Sequence, residues 1–396
     1  MHQVGFGVSM EDYFINQEAV SPSCLMKILE GDKLPKEGMI WEFKNELKPL
    51  DLYCYLYAKY GPPNGIQNFL KSDDSDNLIH WEWALAGEHG IIMVQGQNFR
   101  SEVLLRGHFK DKGLTIDDFI SQIKSDIGNH GKKISELRKH LEKWTQFVNP
   151  YKRIESAVNQ HFSKIEELSL DPINDKVPQP TSEADWKTYG VRLSAVSEKY
   201  SYAVGLTFGL RSMLPVLAES FINLVLFILC RQDIKSNDRL FKSTIRQPID
   251  IRIQSLHINC IGFESAIDYS STECGNFHTL MNGRNDLLHG NVEVNKLSIG
   301  DVFFNKNVPL FLQYEDFWDK SIGVSMQSVK FDQIKSDRDV VTDFIKYILS
   351  KLKPEIKEQI EIIMDKGQLG FNNKTGRVGV LFPEHIVDFR AVFKDV

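Results

Sequence analysis

The hydrophobic and polar positions change rhythm several times along the chain, and each change predicts a change of element. Before about Phe109 two periods mix. PLDLYCYLYAKY carries apolar residues at helical spacing and runs into PPNG, residues 62–65, whose prolines and glycine predict a turn. IHWEWALAG, GIIMVQGQ and SEVLLRGHF follow, separated by glycine-containing turns, and predict strands. Together they predict a small α+β domain. From about Thr115 to Leu170 the rhythm becomes helical, with Leu137, Leu141 and Trp144 recurring between charges.

DPINDKVPQPTSEADW, residues 171–186, breaks that rhythm. Pro172, Pro178 and Pro180 forbid a continuous helix, and few of its residues are apolar. The expected organisation is an N-terminal α+β domain with a long helical segment (residues 1–170), a linker (171–185) and a mostly helical domain (186–396). The helices expected after the linker cover about 191–208, 211–230, a third ending at His289, and 336–352, stopped before Pro354. LSIGDVFFNKNVPLFLQYEDFW predicts an inserted hairpin or loop, and GQLGFNNKTGRVGVLFPEHIVDFRAVF predicts two or three closing strands. The fold class expected is mainly α, with an N-terminal α+β part and a few closing β-strands.

Composition narrows the function classes. The chain has 396 residues, is 42% hydrophobic and 25% charged, and so has material for sizeable cores. A net charge of −6 argues against a generally basic nucleic-acid coat. Locally the balance reverses: between Arg100 and Arg153 twelve Lys/Arg face seven Asp/Glu, a surplus of 12 − 7 = 5 positive charges. That segment reads as a solvated helix face or as a surface that tracks phosphates. The five cysteines are scattered without a CxxC pair, and the first residues lack the pattern of a signal peptide, so a reducing cytoplasm is expected. MLPVLAESFINLVLFILC, residues 213–230, borders on a membrane span in length. Pro215, Glu219, Ser220 and Asn223 interrupt it, so a buried helix is expected instead, with no membrane partner. No Gly-rich phosphate loop or HExxH pattern occurs, and no cofactor or metal is expected.

The chemistry concentrates in MNGRNDLLHG, residues 281–290. On a helix, Asn285 and His289 share a face, while Arg284 falls in line with Phe277, Leu280, Leu287 and Leu288. A cation rooted in an apolar stripe must find an anionic partner or reach the edge of an interface. Gly290 suits the position just past a helix end. RIQSLH, residues 252–257, has a similar Arg-to-His spacing but lacks the adjacent Asn and the closing Gly, and is set aside. His80, His89 and His278, and the Trp81/Trp83 pair, read as surface or core residues.

RNDLLHG closely resembles the R-N-x-x-x-H motif of HEPN (higher eukaryotes and prokaryotes nucleotide-binding) domains of the ribonuclease branch. The resemblance covers residues 186–353. It implies a helical bundle with the motif late in its third helix, and Arg284, Asn285 and His289 as site residues. It also implies a polar or acidic residue facing the motif from an early core helix, which Glu219 and Asn223 would supply. The implied activity is metal-independent endoribonuclease cleavage, in which the 2′-OH attacks the adjacent phosphate to give 2′,3′-cyclic phosphate and 5′-OH ends. Histidine transfers protons near neutral pH, and arginine offers a fixed positive fork to the phosphate. Further implications are a homodimer through the C-terminal domain, RNA (tRNA or another cellular RNA) as substrate, and a toxin or anti-phage abortive-infection role with an antitoxin or phage-derived trigger. Without catalysis, the same module implies dimerisation or nucleotide or partner binding. Some HEPN toxins carry a modified tyrosine two residues after the motif His; here that position is Asn291.

Overall fold

In IHWEWALAG and the two segments after it, alternate residues go to opposite faces of a sheet, and both faces are covered. The computed structural model describes residues 12–383, apart from 32, 33, 36, 37, 73, 74, 184, 291, 293, 314 and 315. Over half of it is helical, so the chain is mainly α with an N-terminal α+β part. It divides into two compact units, one built on the described residues up to Thr145 with Asn372–Gly376 and those from Val380 on, the other on Gln146–Phe371 and Arg377–Gly379.

The first unit contains β1 (Glu18–Ala19), α1 (Pro22–Glu30), β2 (Gly38–Phe43), α2 (Pro49–Tyr60), α3 (Gln67–Leu70), β3 (Ile79–Gly87), β4 (Gly90–Gln97), β5 (Ser101–Gly107), α4 (Ile116–Asp126) and α5 (Gly131–His140). Its five strands form an antiparallel sheet in the order β1-β3-β4-β5-β2. Trp83, Leu85, Ile92, Val94, Val103 and Leu105 pack on one face with Leu52 of α2, Phe119 of α4 and Ile134 of α5. Ala84 and Ile91 pack on the other face against Leu25 of α1. Trp83 is fully buried and donates its indole N–H to the Gly61 carbonyl at 3.1 Å, so the tryptophan pair serves the core. The turn before β3 is fixed by close packing: a Cβ on Gly65 would lie 2.1 Å from the buried Glu82 carboxylate.

Asp126 closes this unit at the end of α4. It accepts hydrogen bonds from the Tyr55 hydroxyl at 2.7 Å, from Lys59 at 2.5 Å and from Asn129 at 2.9 Å. Burial alone would raise its carboxyl pKa. The bonds from Lys59, Asn129 and Tyr55 outweigh that and hold it well below the usual carboxylate range.

The second unit begins within β6 (Trp144–Val148) and continues with α6 (Pro150–Glu167), followed by α7 (Asp185–Leu229), α8 (Gln232–Lys235), α9 (Asp238–Ile245), α10 (Ile249–Asn259) and α11 (Thr272–His289). After α12 (Val294–Leu297) come a hairpin, β7 (Val302–Asn305) and β8 (Val308–Phe311), then α13 (Val324–Ser328), α14 (Ile334–Leu349) and α15 (Pro354–Asp365). β9 (Gln368–Asn372) and β10 (Val378–Gly379) close it, in a sheet ordered β10-β9-β6. A further closing strand after Pro383 would lie outside the described residues. The core joins α6, α7, α10, α11, α14 and α15; Phe277 and Phe344 stack at 4.2 Å between α11 and α14.

Three expectations need correction. The helices expected over 191–208 and 211–230 are one helix of 45 residues, α7, that passes through Pro215. Gly209 does not break it; a Cβ there would come within 3.1 Å of His161 Nε2, so the glycine makes room for α6. The division between units falls at Thr145/Gln146, not at 171–185. That proline-rich stretch is fastened to α7, because Asp175 accepts hydrogen bonds from Lys199 at 2.8 Å and Tyr200 at 2.9 Å. The Leu137–Trp144 periodicity also spans two elements: α5 ends at His140, and Trp144 starts β6.

Among the described residues one helix, α7, is long and apolar enough to cross a membrane by length and composition, and most of its apolar window is buried in the fold.

Candidate active site

The helix that carries RNDLLHG is well defined at both ends. Ser271 caps the N-terminus of α11, its hydroxyl accepting from the Cys274 amide. Gly290 ends it in the left-handed region, φ 61° and ψ 36°, and returns its N–H to the Asp286 carbonyl. Between the caps, Cys274, Phe277 and Leu280 form the buried stripe, with spacings of three. Arg284 comes next on that stripe and is half-buried.

Arg284 donates from Nη1 to Asn285 Oδ1 at 3.0 Å. Its Nε is buried and has no hydrogen-bond partner among the described residues. Nor does any carboxylate among them pair with it. The guanidinium is therefore held by an amide oxygen rather than neutralised, and it keeps N–H donors for an anion. Because Asn285 spends its oxygen on Arg284, its amide N–H groups are what it has left to offer to His289 or a bound phosphate. His289 occupies the last helical position and is exposed. Asn291 lies outside the described residues.

Glu219 and Asn223 do not join Arg284. Both are taken by Arg252 of α10, which donates to Glu219 Oε1, to Asn223 Oδ1 at 2.5 Å and to the Gln247 carbonyl at 2.9 Å. The arginine is 93% buried, at 7% exposure, so it needs this full set of acceptors. The acidic residue expected to face the motif thus stabilises the α7–α10 crossing, and the RIQSLH segment proves to be structural. His278 contacts the Tyr269 hydroxyl at 3.2 Å, and His80 contacts Asn98 Oδ1 at 2.7 Å.

The basic surplus between Arg100 and Arg153 is partly consumed inside the fold. Arg100 is buried against Glu102 at 2.6 Å, Arg138 pairs with Asp51, and Lys152 is held by Glu155 at 2.9 Å and Asp365 at 3.1 Å. Among the described residues no group of three His, Cys, Asp or Glu is arranged to hold a metal ion.

Beside the motif lies a feature that sequence reasoning missed. A cavity of about 160 Å³ opens along the Gly283–Asp286–Leu287 flank of α11, with Arg211 of α7 and Lys330 among its walls. Asp337 of α14 lies 3.7 Å from Arg211 Nε, and its Oδ2 is buried without a hydrogen bond among the described residues. Burial pushes the Asp337 carboxyl pKa up, against the pull of Arg211 and Lys330. A lone Arg, Lys and Asp spread over 127 residues give no local pattern that could have revealed them.

No protein-family model matches the chain, and no solved structure matches it. An uncharacterised protein of Dictyostelium discoideum is 26% identical over 153 residues; the match spans 38% of this chain and 5% of that protein, and brings no function with it.

Proposed function

We propose that the second unit is a HEPN-type, metal-independent endoribonuclease whose site is built from Arg284, Asn285 and His289. The observation that carries this reading is the C-terminal end of α11, where a half-buried arginine, with no carboxylate partner among the described residues, precedes an exposed histidine by five positions. The arginine stabilises charge on the crowded phosphorane. Histidine takes the proton of the attacking 2′-OH or gives one to the leaving 5′-oxygen. One histidine does one of these jobs at a time, so a second copy supplies the other, in a C2 dimer with two motifs facing one cleft.

The hairpin supports a second copy as partner. Phe303, Phe304, Leu310 and Phe311 are 59%, 66%, 50% and 48% exposed. A two-stranded ribbon with apolar residues in water is marginal by itself and marks a surface meant to be covered. It follows α11 and α12 in the chain. The setting is a cytoplasmic toxin or anti-phage effector acting on tRNA or another cellular RNA, restrained by an antitoxin or released by a phage-derived trigger.

The test compares RNA cleavage by wild type, Arg284→Ala and His289→Ala in EDTA. Cleavage by wild type and its loss in both variants support the nuclease. Folded wild type that cleaves no RNA, while Arg284→Ala alters assembly or ligand binding, supports a non-catalytic HEPN dimerisation or binding module instead.

A further inference from the structure

The cavity along the Gly283–Leu287 flank of α11 has the size and wall chemistry for one planar ring. Its volume of about 160 Å³ is close to the ~150 Å³ that admits a benzene-sized molecule in a protein interior. Leu287, Leu297 and Ile299 supply apolar walls, and Arg211, Asp286 and Lys330 supply polar edges. Arg211 is 8% exposed yet makes a single long hydrogen bond among the described residues, 3.4 Å to the Val329 carbonyl. Its guanidinium passes over Gly283, where a Cβ would lie 3.7 Å from Nη2, so nothing on α11 covers that side of it.

A bare phosphate suits these walls poorly. The neighbouring Asp337 offsets part of the charge of Arg211 and Lys330, and three aliphatic side chains would be left against an anion. A neutral heterocycle suits them well. It packs its faces on the leucines and the guanidinium plane, and its edge meets the Lys330 ammonium. Asp286 precedes His289 by three positions, so the two are neighbours on the helix surface.

We propose that this cavity receives one nucleobase of the RNA, and that its walls set which base adjoins the cut. The placement of that base beside the scissile phosphate rests on the nuclease reading; the binding of a base does not.

The experiment measures binding of the four nucleoside 3′-monophosphates, and of ribose 5-phosphate as a probe without a base, to the full chain by titration calorimetry. At least one nucleotide is expected to bind ten times more tightly than ribose 5-phosphate. Gly283→Leu and Ser328→Tyr, which fill the cavity from two separate elements, should each weaken that nucleotide at least tenfold, while Ile362→Ser, at an exposed position of α15, binds as wild type does. Equal binding of ribose 5-phosphate, no nucleotide binding, or unchanged binding in both filled variants would overturn the proposal. If nucleotides bind as expected and wild type cleaves no RNA, the cavity stands and the nuclease reading fails. If RNA is cleaved with no effect of filling on nucleotide binding, the reverse holds.

Discussion

Arg252 of α10 reaches across 33 residues of chain to Glu219 of α7, and in doing so takes the carboxylate that the HEPN resemblance sets facing the motif from an early core helix. Removing the arginine leaves Glu219 and Asn223 without their donor. Arg252→Met is expected to cost about 2–3 kcal/mol, less than the ~3–5 kcal/mol of a fully buried pair because Glu219 retains contact with solvent. Urea denaturation reads this directly. Glu219→Gln, which keeps an acceptor, should cost less and leave RNA cleavage intact. Abolished cleavage at unchanged stability would return Glu219 to the site.

Gly290 adopts φ +61° with open space where its Cβ would be, so the cost of a side chain there is conformational rather than steric. Gly290→Val should lose about 1–2 kcal/mol, and Gly290→Asn less. Thermal denaturation gives the order. RNA cleavage should fall in the same order, since the cap fixes the turn that presents His289.

Acid should open the first unit through Asp126. Its folded-state pKa is depressed, so the stabilisation is fully present above the unfolded value of about 3.9 and is lost as pH falls below it. Trp83 and Trp81 pack in the same core and report the event by fluorescence. Asp126→Asn should be less stable at neutral pH and show a flatter acid transition. An identical acid transition in the variant would contradict the assignment.

The hairpin predicts an assembly state. A dimer has a mass of 2 × 45.5 = 91 kDa. Light scattering should give that mass for wild type and 45.5 kDa for Phe303→Ser/Phe304→Ser. A monomeric wild type, or a dimeric double variant, would contradict the hairpin's role.

The elements most legible in the chain were those whose signals are local. Alternation with flanking glycines marked β3, β4 and β5, and Gly290 marked the end of α11. VFFNKNVPLF also forms the expected hairpin. Signals that depend on tertiary packing were misleading. Gly209 and Pro215 punctuate the pattern, yet Leu210, Leu214, Ala218 and Phe221 are buried on both sides of them, and that packing carries α7 straight through. Residues 171–185 have a linker's composition, but Asp175 ties them to α7. Arg252 and Glu219 meet only because α10 crosses α7, and no spacing rule foretells that.

The nuclease proposed for the second unit is tested most directly by the ends of the RNA fragments made by purified protein in EDTA. Wild type should give 2′,3′-cyclic phosphate and 5′-OH termini, and His289→Ala none. Fragments with 5′-phosphate ends, cleavage that stops in EDTA, or undiminished cleavage by folded His289→Ala would contradict it.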